Sequence, residues 1–390
     1  MKILVAGAGI GGLCVALCLR KSGHQVQIFE QSKQLSEIGA GLQLGANALR
    51  VLDYLGILSS LESVSVAPER VNFCSYKTAQ ILHSAELGKT YFDKYDAPYL
   101  HVHRADLQAL LLQALDREIL LELNARVINY KQTADAVSLE LQDGRQVSGD
   151  CLIAADGIKS IFRADFAEVT KAKFTGNVAW RGVIPTDRLP TNFMDKVVTN
   201  FVGPNKHMVI YYLRGQQLVN FVGVVEDSAW TDDSWIAKAP WRKLKEDFQG
   251  WHSTVQTVID AMAEQECYRW GLFDQQPLHN WSSRRVTLLG DAAHATLPFL
   301  ASGAAMAIED ARVLQRALDQ SGNIKHGLQV YQGNRLERTA KIQELSAKMG
   351  KLYHLKHPVL LKLAFKAIKL KSAQTESFLA AYDPNTEPLY

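Results

Sequence analysis

The chain has 390 residues, 47% of them hydrophobic and 21% charged, with a formal charge of +3. That length builds two domains or one large composite one. The near-balanced charge excludes the basic field of a nucleic-acid binder, and no apolar run reaches the ~18 residues that cross a bilayer.

The first segment, KILVAG, is β-rich and short. A lysine and an apolar stretch here mimic a signal peptide, but Gly7, Gly9, Gly11 and Gly12 interrupt it. IGGLCVALCLRKSG has helical spacing and stops at Gly23, and QVQIFE is a second strand ending in Glu30. The turn between strand and helix fits GxGxxG as Gly7, Gly9 and Gly12. The first glycine permits the tight turn, the second admits a pyrophosphate, and the third lets helix and strand close up. Free amides at the helix start favour a phosphate. Glu30, 18 positions past Gly12, is placed to accept hydrogen bonds from ribose hydroxyls. This predicts dinucleotide binding.

GANALRVLDYLG reads as a helix closed by Gly56. A hairpin follows around 77–80, and an amphipathic helix spans 103–115, starting near Arg104. Short strands come next, with a turn at Asp143-Gly144. An NAD dehydrogenase would continue its βαβ pattern after Glu30; this chain does not, which favours FAD, whose long body needs contacts from distant segments. A second strand-rich block runs from 174 to 225, then a Trp-rich helical stretch from 228 to 263. In HMVIYY, the residues His207, Val209 and Tyr211 alternate onto one face. The passage GDAAHATLPFLASGAAMAIED, 290–310, follows a buried strand and starts a helix with almost nothing but small residues. A helix beginning near Gly303 offers free amides and a partial positive charge. The segment 357–373 is basic and amphipathic; it reads as a terminal helix covering the domain, with membrane docking as the rival. The five cysteines lack metal spacing and read as small, reduced core residues of a cytoplasmic protein.

Taken together, GAGIGG, Glu30, HRADL (103–107), CLIAADGIKSIFR (151–163) and the 290–310 passage resemble the signature set of the class A flavoprotein aromatic hydroxylases. WRGVIP, YLRG, LVNFVGVVE and GLFDQQPLHNW are similar to the salicylate 1-monooxygenase and 3-hydroxybenzoate 6-hydroxylase branch. The resemblance implies an α/β fold: a Rossmann-like FAD domain with an inserted mixed β-sheet substrate domain and a C-terminal helical segment. The boundaries fall at 1–70, 98–173 and 267–340 for FAD; 71–97 and 174–266 for substrate; and 341–390 for the tail. It implies that Gly7, Gly9, Gly12 and Glu30 hold the ADP half of FAD, and that Arg104 reaches the pyrophosphate or ribityl region. Asp156 and Gly157 match a DG motif serving FAD and NAD(P)H, closed by Arg163. Gly290 and Asp291 match a GD motif for the ribityl chain, and Pro298 flanks the isoalloxazine, whose anionic edge meets the helix start at Gly303. His294 reads mainly as packing or a local hydrogen bond.

The implied reaction is FAD-dependent hydroxylation of a phenolic or aromatic acid, with NADH or NADPH and O₂, through a flavin hydroperoxide. No metal, nucleic acid or transmembrane segment takes part, and the enzyme is a monomer or homodimer. His207, expected near neutral pKa, would take a phenol proton, and Tyr211 would bond a phenol or carboxylate. Trp180 and Arg181 are weaker candidates. Two positions depart from the branch: Ser302 replaces a glutamine before the glycine, and Ala46 replaces a common proline. The first leaves the substrate open to a bulkier ring or a bridging water. Rival readings keep the fold but take a non-carboxylate, heteroaromatic or lipid-soluble substrate, or make the protein a flavin-binding scaffold without oxygenase activity.

Overall fold

The computed structural model describes residues 1–35, 41–167, 172–228, 230, 237–238, 240–262 and 267–390. Lys2–Ala6 lies at the centre of a five-stranded sheet in the order Val286–Leu288, Cys151–Ala154, Lys2–Ala6, Gln25–Phe29, Ile119–Glu122. All its pairings are parallel, so both faces must be covered, and the strands Lys2–Ala6, Cys151–Ala154 and Val286–Leu288 are almost wholly buried. Helices Ile10–Lys21 and Gly303–Gln320 pack so closely that a Cβ on Gly11 would lie 3.2 Å from Ala307 Cβ. The carboxyl ends of such strands are where ligands bind in open α/β sheets.

The second sheet has eight strands in the order Ala237–Lys238, Tyr268–Asp274, Lys173–Pro185, Leu218–Glu226, Lys206–Leu213, Val197–Gly203, Arg70–Ser75, Ile81–Glu86. Its pairings are antiparallel except Val197–Gly203 with Arg70–Ser75. One face buries Met208, Ile210 and Phe221 with Phe248 and Val255, beneath helices Trp241–Asp247 and Ser253–Asp260. The period of two sends His207, Val209 and Tyr211 to the opposite face. The expected helical stretch 228–263 is thus two short helices, and 229, 231–236, 239 and 263 lie outside the described residues.

Two sequence boundaries move. Tyr268–Asp274 belongs to the eight-stranded sheet, so that unit extends past 267. Its pairing to Lys173–Pro185 is long-range and invisible in local pattern. Ile324–Tyr353 is one unbroken helix, so a division at 341 cuts through it. The basic segment is part of helix Pro358–Ala380, whose Phe365 packs on Phe73 with ring centroids 5.2 Å apart. Among the described residues, no helix is long and apolar enough to cross a membrane.

Two acids sit fully buried on helix Gly303–Gln320. Glu309 pairs with Arg335 and Arg338, each at 2.7 Å. Asp310 pairs with Arg335 at 2.7 Å and receives the Gly290 N–H at 3.0 Å. Burying such charges is tolerable only because every one has an opposite partner.

Candidate active site

The carboxyl ends of the parallel sheet face the open side of the eight-stranded sheet across a cavity of 330 Å³. Gly9, Arg104, Gly290 and Asp291 line one end; His207, Tyr211 and Trp270 line the other.

The first end is built around bare backbone. Gly7 has φ +103°, and a Cβ there would lie 2.4 Å from Ala155 O. A Cβ on Gly12 would lie 2.0 Å from Gly7 O. Gly9 is different: no heavy atom lies within 4 Å of the place its Cβ would occupy. Helix Ile10–Lys21 starts there without a side-chain cap, leaving its first amides for a ligand. Glu30 closes the turn from behind, its carboxylate accepting the Ala8 N–H at 2.9 Å and the Ser32 N–H at 2.8 Å. Asp156 also stands behind the wall, accepting the Ile161 N–H at 3.0 Å, while Ala155 and Gly157 reach the cavity. Burial pushes the Asp156 carboxyl up.

The 290–303 loop forms the middle of the cavity. Gly290 has φ +63°, and a Cβ on it would touch Ala307 Cβ at 3.0 Å. Asp291 opens onto the cavity but is otherwise enclosed by protein. That enclosure raises its carboxyl, while the charges of His294 and Arg104 act the other way. Arg163 donates to the carbonyls of Ala292, Ala293 and Gln276 at 3.0, 2.6 and 2.9 Å, fixing the short helix Asp291–His294. His294 is buried with Nε2 2.6 Å from Asp310, so it braces the loop from behind. Gln343 and Ser346 donate to Ala295 O and Leu297 O at 2.8 and 2.7 Å. Pro298 begins a single 3₁₀ turn on the cavity wall. Ser302 precedes Gly303, where the long helix begins, but its hydroxyl donates to Leu300 O at 2.9 Å and does not cap. The Thr296 hydroxyl is buried on this wall without a hydrogen-bond partner.

Two uncapped helix starts, a glycine cradle and an orphaned hydroxyl on one cavity are a lining that fits FAD.

At the far end, the Tyr211 hydroxyl lies against Gly41, where a Cβ would come within 2.4 Å of it, and His101 packs on its ring at 4.5 Å. Burial raises the Tyr211 phenol, which stays protonated. The Arg181 guanidinium lies 4.6 Å over the Trp270 ring, and both line the cavity. Trp180 points away, fully buried, with its indole N–H on Asp247 at 2.8 Å. His207 corrects an expectation. Its Nδ1 lies 2.9 Å from His354 Nε2, and burial, aided by His354, holds it well below the usual histidine range. It is a neutral imidazole at pH 7, not a group poised at neutrality. Ala46 explains the missing proline: its N–H donates to Tyr91 Oη at 3.0 Å, a bond proline could not make. Sequence reasoning missed His354, Gln343 and Ser346. Their only local signal is polar residues on the inner side of an otherwise mixed helix.

A pyrophosphate-ready Rossmann turn joined to a mixed β-sheet wall defines a flavoprotein of the aromatic hydroxylase architecture. The FAD binding domain family matches residues 1–346. The chain is 33% identical over 350 residues to 6-hydroxynicotinate 3-monooxygenase of Pseudomonas fluorescens, covering 88% of this chain and 90% of that protein. It is 34% identical over 357 residues to 3-hydroxybenzoate 6-hydroxylase of Polaromonas naphthalenivorans, covering 91% and 88%. Among solved structures, HpxO of Klebsiella pneumoniae complexed with FAD and uric acid superposes with a TM-score of 0.87 at 26% identity, covering 97% of both chains. A salicylate hydroxylase substrate complex gives 0.83 at 26% identity, covering 100% and 98%. The chain belongs to the FAD binding domain family and is a class A flavin-dependent aromatic monooxygenase.

Proposed function

We propose that this enzyme hydroxylates a planar, hydroxylated aromatic or pyridine carboxylic acid, with NADH or NADPH as electron donor and O₂ as oxidant. The observation that carries this reading is the single cavity joining the flavin cradle to a sheet face bearing His207, Tyr211 and Arg181. Bound FAD supplies the redox chemistry, accepting electrons from the nicotinamide and activating oxygen. The protein supplies position and proton handling. Arg181, flattened on Trp270, offers a charge to the substrate carboxylate. Tyr211 donates a hydrogen bond to the substrate's polar edge. His207 Nε2 accepts the ring hydroxyl's proton, since Nδ1 is engaged with His354, and the ring becomes the electron-rich nucleophile. Val209, Val222, Val224 and Leu272 keep the reacting ring dry. The five cysteines, all buried and unbridged, support a cytoplasmic location.

The test is a visible spectrum of the purified protein, then NADH and NADPH oxidation with 6-hydroxynicotinate, 3-hydroxybenzoate, salicylate and urate, with peroxide tracked. A yellow protein whose oxidation an acid stimulates, with hydroxylated product, is expected. Stimulation by urate alone would replace the acid assignment. Stimulation by none would leave a flavin-binding scaffold and end the proposal.

A further inference from the structure

Behind His207 the structure continues toward the outside. His207 and His354 are 4% and 7% exposed, with Nδ1 and Nε2 2.9 Å apart. His354 Nδ1 in turn lies 3.4 Å from Glu226 Oε1, on a side chain 45% exposed. His354 and Glu226 line a separate surface cleft of 680 Å³, and Leu297 stands in the wall between that cleft and the flavin cavity. The arrangement is clamped. Asn205, with φ +61°, donates its N–H to His354 O at 3.2 Å and accepts the Glu226 N–H at 2.9 Å. Phe299 and Tyr353 pack on the His207 ring at 5.5 and 5.1 Å. Asp274 and Lys351 also rim the outer cleft.

We infer that His207, His354 and Glu226 form a proton relay linking the substrate end of the cavity to the outer cleft. This rests on the reading of His207 as the group that takes the substrate's hydroxyl proton. A neutral, deeply buried imidazole is a poor place to keep a proton but a good place to pass one. The substrate O–H bond breaks and its proton joins His207 Nε2. The Nδ1 proton of His207 moves to His354 Nε2, and the Nδ1 proton of His354 moves to Glu226 or to water in the cleft. Each ring stays neutral and changes tautomer. Reprotonation of the product's oxyanion runs the chain backwards and resets both tautomers. Aromatic packing alone would need neither the aligned nitrogens nor a carboxylate at the outer end. His354 is therefore a positioning and relay residue, not one that touches substrate.

The experiment uses the holoenzyme in weak buffer with phenol red, mixed by stopped flow with 6-hydroxynicotinate and with 3-hydroxybenzoate. Wild type releases a proton as the probe binds. His354→Gln keeps a hydrogen-bonding amide beside His207 but cannot pass a proton. It retains FAD content and probe affinity, while proton release and hydroxylation slow at least ~10-fold. His354→Ala behaves alike, and added imidazole, entering the vacated space through the outer cleft, restores it. Glu226→Gln, on the surface, slows release less, by about threefold. Wild-type rates of proton release and hydroxylation in His354→Gln would overturn the relay and leave the enzyme's proposed function standing. Hydroxylation of either probe by wild type without proton release would overturn the relay together with the reading of His207 as the group that takes the proton.

Discussion

Gly9 and Gly12 follow the N-terminal strand, share one turn, and should fail in different ways when changed to alanine. At Gly12 the new Cβ would sit 2.0 Å from Gly7 O and 3.0 Å from Gly7 C. Both obstacles are backbone, held by the first strand, so the helix must move away by more than 1 Å to reach ordinary contact. Overpacking of this kind costs about 1–3 kcal/mol. Gly12→Ala should therefore lower the melting temperature of the apoprotein as well as weaken FAD. At Gly9 the backbone is extended, with φ −69°, and the Cβ would meet nothing within 4 Å. Folding is untouched, but the methyl occupies the space the pyrophosphate needs. An FAD loss of about 2 kcal/mol corresponds to roughly 30-fold in Kd. The assays are flavin content at 450 nm, FAD titration by fluorescence quenching, and thermal melts of both apoproteins. The reasoning is refuted if Gly9→Ala binds FAD as wild type does, or if it melts as low as Gly12→Ala.

Three further outcomes follow from the geometry. Burial opposes ionisation of Asp310, but His294 and Arg335 outweigh it and hold the carboxyl at about 2, below the ordinary 3.8. A depressed carboxylate stabilises the fold above pH 4 and loses that contribution, about 2 kcal/mol, as pH falls toward 2. Asp310→Asn should destabilise by about 3–5 kcal/mol at pH 7, because Arg335 and His294 lose a buried partner, and should flatten the acid limb of denaturant-melt stability; an unchanged acid limb counts against the assignment. Tyr211→Phe should raise KM for the substrate roughly 10-fold with little change in FAD content, since one hydrogen bond to a polar edge is lost; an unchanged KM removes Tyr211 from substrate binding. Ser302→Gln should reduce kcat/KM for the bulkiest accepted ring by about 10-fold or more relative to the smallest, read from paired substrate assays, and an unaltered preference would remove this position from selectivity.

Much of the cofactor site was legible because its requirements are local. Gly7, Gly12 and Gly290 stand where a Cβ would strike backbone or a neighbouring methyl, so no other residue type fits there without a shift. The alternation of His207, Val209 and Tyr211 was legible because a strand has a period of two. His354 was not, because its meaning depends on a neighbour 147 positions away. The neutrality of His207 follows from the same tertiary enclosure, which composition does not carry. The place of Tyr268–Asp274 in the eight-stranded sheet was hidden for a related reason: its partner strand lies nearly a hundred residues earlier in the chain.

Helix Ile324–Tyr353 has 30 residues, about 45 Å of rise, and it reads the 290–300 loop in sequence. Arg335 meets Asp310 behind Gly290, Gln343 holds Ala295, Ser346 holds Leu297, and Gly350 gives way to Phe299. His354 follows at its end. Each tooth of this comb engages the next rung of the loop, so the two elements share one register over their whole length. A single residue inserted after Arg338 would turn everything beyond it by about 100° and lift every later tooth from its rung. The outward side of the helix is free to drift in sequence; its length is not.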